Sequence, residues 1–463
     1  MNTFDVVILG AGPGGYVAAI RASQLGLKTA IIEKDHLGGV CLNWGCIPTK
    51  SLLRSAEVYR TALHAKDFGV LLDNPKPDLQ KMVERSRAVS SQLSSGIKGL
   101  LKKHKVTHIQ GHGRFINDNT IEVDHQGKKQ KVTGTNIIIA TGARARELPH
   151  LQADGKRIWL AKHAMTPGFM PEKLLVIGSG AIGIEFASFY QTIGAKVTVV
   201  EMVDRILPQE DKDISKQAQK QFEQQGMTFH LSSSVTKLTS NLGDVEATIV
   251  DKNKNAITES YDAVILAIGI QGNTEDLGLE KTKIKVDKNQ IQVNAYNQTE
   301  HPHIYAIGDI AGAPWLAHKA SHEGIIVAEH LKGLNPYPMN KQNIPGCIYA
   351  HPQVASVGMT EEHVKEQKID ANIGVFPLMA NGKALAVGEP EGFVKTIFDK
   401  KTGELLGAHM IGHEVTEMIQ GYVIAKQLET TETDLMHTIF PHPTLSESMH
   451  ESVLAAFGKA VHY

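Results

Sequence analysis

Three features of the chain predict an α/β fold. It opens with a strand, a Gly-rich turn, a helix and a second strand, FDVVILGAGPGGYVAAIRASQLGLKTAIIEK from Phe4 to Lys34. The same unit returns as KLLVIGSGAIGIEFASFYQTIGAKVTVVEM from Lys173 to Met202. From about Lys341 the pattern changes to alternating strands, as in GFVKTIFDKKTGELLGAHMIG, with two helical runs and no such turn. Together these predict two Rossmann-like dinucleotide-binding domains and a C-terminal α+β domain that packs against another surface. The expected boundaries are 1–147 for the first domain, 148–276 for the second, 277–345 for a segment returning to the first, and 346–463 for the last.

In the first unit, Gly10, Gly12 and Gly15 have the GxGxxG spacing. The first glycine permits the tight turn, the second lets backbone approach a pyrophosphate, and the third lets helix pack on strand. The helix N-terminus then offers free N–H groups to phosphate. Glu33 ends the second strand, where a carboxylate can accept hydrogen bonds from ribose hydroxyls. In the second unit Gly178, Gly180 and Gly183 repeat the spacing, and Glu201 repeats the strand-end carboxylate. Two such units imply two dinucleotides, a bound flavin and a diffusing nicotinamide. A carboxylate at Glu201 accepts from a 2′-hydroxyl and repels a 2′-phosphate, which predicts NAD rather than NADP. Arg205 is the only cation close behind it. The alternative for Glu201, a solvated strand-end residue, is disfavoured.

Three further apolar strands end in small-residue turns: IIIATGARA (Ile137 to Ala145), YDAVILAIGI (Tyr261 to Ile270) and IYAIGDIAG (Ile304 to Gly312). Asp309, at the tip of the third, could bond a polyol chain or simply serve the turn.

Cys41 and Cys46 lie in GGVCLNWGCIPTK, directly after the first Gly-rich unit. Thiols with four residues between them can close a small disulfide ring, and this one would lie beside the bound cofactor as an electron relay. A zinc half-site or two structural thiols are the alternatives. Zinc needs about four ligands, and no His or further Cys lies nearby, so no metal is expected. Three cysteines in 463 residues are no disulfide scaffold. Cys347, in IPGCIYAHPQVASVG, reads as a buried strand thiol.

Composition narrows the class. Lys plus Arg (48) nearly balance Asp plus Glu (49), so no basic surface points to nucleic acid. No apolar run approaches the ~18 residues of a membrane span. The first strand begins at the extreme N-terminus, which with Met1 and the cysteine count predicts a cytoplasmic protein without a leader.

Taken in order, GAGPGG, GGVCLNWGCIPTK, GSGAIGIE, AIGD, LAHKASHEG and HPTLSE run the length of the chain. The sequence thereby resembles the flavin disulfide oxidoreductases, also called class I pyridine nucleotide-disulfide oxidoreductases, in the branch that acts on lipoyl dithiols. The resemblance implies one tightly, non-covalently bound FAD per subunit, NAD as a diffusing substrate, and a homodimer whose C-terminal module completes its partner's active site. It implies FAD-dependent oxidation of protein-bound dihydrolipoamide with reduction of NAD. The expected partners are the lipoyl and peripheral subunit-binding domains of a 2-oxoacid dehydrogenase acyltransferase, or the lipoyl protein of glycine cleavage.

By the same matching, Cys41 is the interchange thiol and Cys46 the thiol nearest the flavin. Lys50 pairs with Glu185 beside the flavin ring. FAD contacts fall on Gly14, Lys34, Gly39 and Val40, on Gly113, on Ala140, Thr141 and Gly142, and on Gly308 with Asp309. The Trp315–His318 segment, with Leu316, Ala317 and His318, completes that set. Ile182, Val235 and Gly269 join Gly178 to Glu185 and Glu201 at the NAD site. His442 and Glu447 form a base pair: the imidazole takes a thiol proton and the carboxylate fixes its tautomer. A helix start, with Thr444 or Ser446 as cap and Glu447 in the first turn, is compatible with that role. His450, His437 and His413, among 22 histidines, read as surface or packing residues.

Two departures from the family pattern stand out. Phe440 occupies a position often held by a further His, which would alter the edge of the lipoyl channel. AIGIQGN lacks an Arg often found after that turn. The competing readings are a glutathione-reductase-like enzyme running on NADPH, which Glu201 disfavours, and a subunit that mainly docks onto a multienzyme complex. Mercuric or large thioredoxin reductases would need a second cysteine pair after Cys347, and a transhydrogenase would lack the first.

Overall fold

The computed structural model describes residues 2–463, and the chain divides into two compact units. The first holds the residues up to Leu52, Asp78–Arg146 and Gly269–Met339. Its seven-stranded sheet runs, in spatial order, Thr107–Gln110, Thr29–Glu33, Asn2–Leu9, Lys128–Ile139, Thr120–His125 and His112–Asn117, with Ile304–Ala306 also pairing on Lys128–Ile139. Asn2–Leu9 is parallel to both neighbours, with Ile8 level with Ile31 and Ile138.

Because successive side chains of a strand face opposite ways, a strand covered on both sides must be apolar throughout. Val6 and Ile8 pack with Ala18, Ala22, Leu101 and Val327 on one face. Val7 and Leu9 pack with Phe115, Ile121 and Ile310 on the other. The return to this unit begins at Gly269, where Ile270–Gly272 pairs antiparallel with Ala143–Ala145.

The second unit holds Leu53–Pro77, Glu147–Ile268 and Asn340–Tyr463. A parallel sheet of five strands runs Thr228–His230, Lys196–Val200, Lys173–Ile177, Ala263–Leu266 and Ile158–Trp159. An antiparallel meander, Ser233–Ser240, Val245–Asp251 and Ala256–Tyr261, accompanies it. Beyond Asn340 a five-stranded antiparallel sheet runs Gly346–Ile348, Gln353–Gly358, Leu405–Gly412, Phe393–Asp399 and Ala371–Pro377. The helices Val415–Gln427 and Glu447–Ala455 pack on it through Val415, Met418, Ile419 and Val453.

Cys347 departs from expectation. It lies on the edge strand Gly346–Ile348, so one side lacks a neighbouring strand and the thiol is half-buried rather than buried.

Candidate active site

The two Gly-rich turns have the same construction. A Cβ on Gly10 (φ +99°) would run into the carbonyl of Ala140, and one on Gly178 (φ +100°) into that of Ala267. A Cβ on Gly15 or Gly183 would strike the carbonyl of Gly10 or Gly178, so turn and helix close tightly on each other. Gly12 and Gly180, in contrast, have no heavy atom within 4 Å of the added carbon. Each turn is thus packed solid on its inner side and open where the helix N-terminus points, as a pyrophosphate cradle requires.

Cys41 and Cys46 are joined as a disulfide, with Cα atoms 4.7 Å apart. Cys41 sits on the short helix Gly39–Trp44, and Cys46 begins the helix Cys46–Leu63. The ring is fixed to the first phosphate turn: the Gly38 N–H donates to the Ala11 carbonyl at 2.8 Å. Gly39 (φ +60°) lies so close that its Cβ would stand 2.6 Å from the Cα of Gly12. Inside the ring, Asn43 Nδ2 donates to the Gly39 carbonyl at 2.8 Å, and Ser94 Oγ donates to Asn43 Oδ1 at 3.0 Å. The Arg87 guanidinium lies 4.5 Å above the Trp44 ring. Lys50 follows Cys46 by one turn of the same helix.

Glu33 is buried, and both of its oxygens already serve backbone: Oε2 accepts from Ala11 N–H at 2.7 Å and Oε1 from Asp35 N–H at 2.8 Å. Ribose hydroxyls would use the remaining lone pairs. Thr141 and Gly142 form the turn after Ala140, with the Thr141 carbonyl accepting from Asn273 Nδ2 at 2.8 Å. Lys34 and Val40 are exposed, and Leu316 caps the helix Ala317–Leu331 just before Ala317 and His318. Gly113 faces inward: a Cβ there would stand 2.6 Å from Leu9 Cδ2 and 3.1 Å from Ile121 Cγ2, so the space beside it is core packing.

Asp309 lies in the turn Gly308–Ala311. Burial pushes its carboxyl up, Lys319 draws it down and Glu323 raises it. These last two residues were not foreseen from sequence. The ammonium of Lys319, 1% exposed, bonds the carbonyls of Gly308 (3.2 Å) and Gly312 (2.8 Å) and pairs with Glu323 at 3.0 Å. Glu323 in turn accepts from the Gly308 N–H at 2.7 Å. Lys319→Met is expected to cost about 3–5 kcal/mol, because Glu323 would be left as an unpaired buried charge. A thermal melt that does not move would contradict this.

In the second unit, Glu201 Oε2 accepts from Ser179 N–H (2.8 Å) and Oγ (2.7 Å), and Oε1 accepts from Val203 N–H (3.1 Å). Glu185 is buried on the helix Ala181–Thr192, its Oε1 accepting from Tyr349 N–H at 3.0 Å. Ile182 is exposed at the start of that helix. Val235 is buried in a core with Ile177, Val200 and Ile249. Gly269 (φ +102°) and Lys50 belong to the first unit, Glu185 to the second. The strand paired with AIGIQGN carries Arg144, which lies opposite Gln271 and binds Asn273 Oδ1 at 3.0 Å and Glu275 at 2.8 Å.

His442 Nδ1 donates to Glu447 Oε1 at 2.8 Å, and Glu447 Oε2 accepts from Thr444 N–H at 2.9 Å. Neither expected cap operates. Ser446 stands at the N-cap position in helical conformation without a side-chain bond, and Thr444 Oγ1 turns to the Pro441 carbonyl at 2.7 Å. Glu447 satisfies the Thr444 amide itself, so one carboxylate orders both the turn and the imidazole. Burial works to raise the Glu447 carboxyl, but the Thr444 amide and then His442 outweigh it and hold it below the usual carboxylate range. The imidazole is 79% exposed, leaving Nε2 as its basic nitrogen. Phe440 stacks on His450 with centroids 5.3 Å apart, and His450 Nε2 donates to the Met436 carbonyl at 3.0 Å. His437 is exposed and His413 half-buried.

A disulfide pinned to a phosphate turn, a second such turn and an exposed imidazole–carboxylate pair define a dinucleotide-dependent thiol–disulfide enzyme. Residues 4–324 match the pyridine nucleotide-disulphide oxidoreductases and residues 344–453 the dimerisation domain of the same group, and the chain belongs to that family. It is similar to dihydrolipoyl dehydrogenases of Zymomonas mobilis (54% identical over 462 residues, 99% of each chain) and Rhizobium etli (51% over 477 residues, 99% of each). Among solved structures, LpdA of Mycobacterium tuberculosis superposes with a TM-score of 0.91 at 27% identity, over 98% of this chain and 99% of that one. Enzymes of this kind use FAD and NAD, and the two open cradles fit two dinucleotides. The C-terminal module is a dimerisation domain. Among the described residues no helix is long and apolar enough to cross a membrane.

Proposed function

We propose that the chain oxidises protein-bound dihydrolipoamide to lipoamide and reduces NAD to NADH. It would act as a cytoplasmic homodimer serving a lipoyl domain of a 2-oxoacid dehydrogenase acyltransferase or of the glycine cleavage system. The observation that carries this reading is the Cys41–Cys46 ring anchored on the first phosphate turn through Gly38 and Gly39.

A dithiol substrate has a pKa of about 8.5 and attacks only as thiolate. His442 of the partner subunit takes its proton at Nε2, while Glu447 holds Nδ1–H and stabilises the imidazolium. The substrate sulfur bonds to Cys41, and the bond between Cys41 and Cys46 breaks. The second substrate sulfur then attacks the first and displaces Cys41, which leaves with that thiol's proton, giving lipoamide and a reduced pair. Cys46, as thiolate, is the electron-rich sulfur, and a lysine at position 50 favours negative charge beside it. When bound, FAD supplies the two-electron transfer from the dithiol to the nicotinamide. Gly10–Gly15, Glu33, Ala140–Gly142 and the Gly308–Asp309 turn would hold FAD. Gly178–Glu185 and Glu201 would hold NAD. The net change is dihydrolipoamide plus NAD⁺ to lipoamide plus NADH and a proton.

The purified protein is expected to turn over dihydrolipoamide with NAD at least about a hundredfold faster than glutathione disulfide with NADPH, since a site built for one substrate rejects the other. The reverse preference would refute the assignment.

A further inference from the structure

The loop after Glu201 folds back over the second phosphate turn. Val203 N–H donates to Glu201 at 3.1 Å, and Leu207 N–H donates to the Ser179 carbonyl at 3.1 Å. Arg205 stands in sequence between these two anchored residues, four positions after the carboxylate that would meet the ribose. A guanidinium in such a place is what a 2′-phosphate needs, because its fork matches phosphate oxygens. Here the fork is already engaged: Nη1 is paired with Glu362, and Nη2 donates to the Pro208 carbonyl at 3.2 Å.

Glu362 lies 157 residues further on, in the first turn of Glu361–Glu366, within the C-terminal module. That turn is held firmly. Thr360 Oγ1 accepts from His363 N–H at 3.2 Å, and Glu361 N–H donates to Asp211 Oδ2 at 3.0 Å. The Glu361 carboxylate meets Lys395 at 2.6 Å, and Lys395 also meets Asp211 at 2.9 Å and Asp213 at 2.7 Å. The ammonium of Lys395 and the carboxylate of Asp211 are both 1% exposed. Glu362 is therefore presented to Arg205 from an anchored backbone.

We propose that Glu362 is a cofactor-specificity residue: by pairing with Arg205 it withholds from the ribose site the cation that a 2′-phosphate would require. Discrimination against NADP then has two parts, repulsion by Glu201 and sequestration of Arg205 by Glu362. Removing Glu201 alone leaves the guanidinium tied.

This rests on the second Gly-rich unit being the NAD site. The test is calorimetric titration of the holoprotein with 5′-AMP and with adenosine 2′,5′-bisphosphate. The wild-type protein is expected to bind AMP and to reject the bisphosphate. Relative to Glu201→Ala, the double variant Glu201→Ala/Glu362→Gln should shift the bisphosphate-to-AMP ratio by about ten- to a hundredfold, the worth of a charge-assisted bond. Adding Arg205→Met should remove that gain. A ratio unchanged by Glu362→Gln, or a gain that survives Arg205→Met, would overturn the proposal alone. Failure of AMP to bind the wild-type protein would overturn the nucleotide-site reading as well. Should Glu362→Gln not fold, Glu362→Asp, which draws the carboxylate back by one methylene, must give a smaller gain of the same sign, and its absence would count equally against the idea.

Discussion

Cys46→Ser is expected to abolish dihydrolipoamide-dependent NAD reduction, by at least about a thousandfold, while the protein stays folded and yellow. A serine hydroxyl can neither form the bond to Cys41 nor leave as a stabilised anion near neutral pH, so substrate electrons lose their route into the protein. The fold should tolerate the change. The ring is held by Gly38 on Ala11, by Asn43 on Gly39 and by Ser94 on Asn43, none of which involves sulfur. Reduction of artificial acceptors by NADH, which bypasses the dithiol, should fall far less. Dihydrolipoamide turnover close to wild type would remove the disulfide from the mechanism, and loss of both activities with loss of flavin would mean a folding defect instead.

His442→Gln should slow the dithiol half-reaction by about 10²–10⁴-fold, the range for a positioned general base. NADH oxidation by artificial acceptors should stay near wild type. Glutamine can still bond Glu447, so the turn at Thr444 should survive and the loss can be read as loss of the base. The Glu447 carboxyl lies below its ordinary value, so its contribution to holding the pair is present above the unfolded value of about 4.3 and fades as pH falls through the folded one. Activity changes nearer neutrality therefore belong to other groups, and Glu447→Gln should weaken catalysis at every pH rather than shift an acid limb. Equal loss in both assays for His442→Gln would defeat the assigned role.

What the sequence made legible were features whose physics is local. A Gly-rich turn leaves room for nothing but glycine where a Cβ would strike the carbonyl five residues back, so Gly15 and Gly183 announce their own geometry. Thiols five positions apart can meet without help from the rest of the fold. His442 and Glu447 are similarly close in sequence, and the turn between them suffices to join them. The hidden features depend on burial or on distant partners. Lys319 and Glu323 have the i, i+4 spacing common to surface pairs on helices, and only the packing around the Gly308–Gly312 turn makes them an interior ion pair. Arg205 looked like a lone cation because Glu362 is remote in the chain. Ser446 has a capping residue's identity, but the amides of Ser448 and Met449 that it would serve already donate to the Leu445 and Ser446 carbonyls. Cys347 is only half-buried because its strand is an edge, which its apolar neighbours in sequence do not reveal.

Thiol labelling of the peptide spanning Cys41 and Cys46, followed by mass spectrometry under anaerobic conditions, probes the electron route itself. The oxidised protein should take no label there, one equivalent of dihydrolipoamide should expose both sulfurs, and subsequent NAD should close them again, with Cys347 as the internal reference. Labelling at 41 and 46 that ignores both substrates would contradict the account, whatever the turnover assays report.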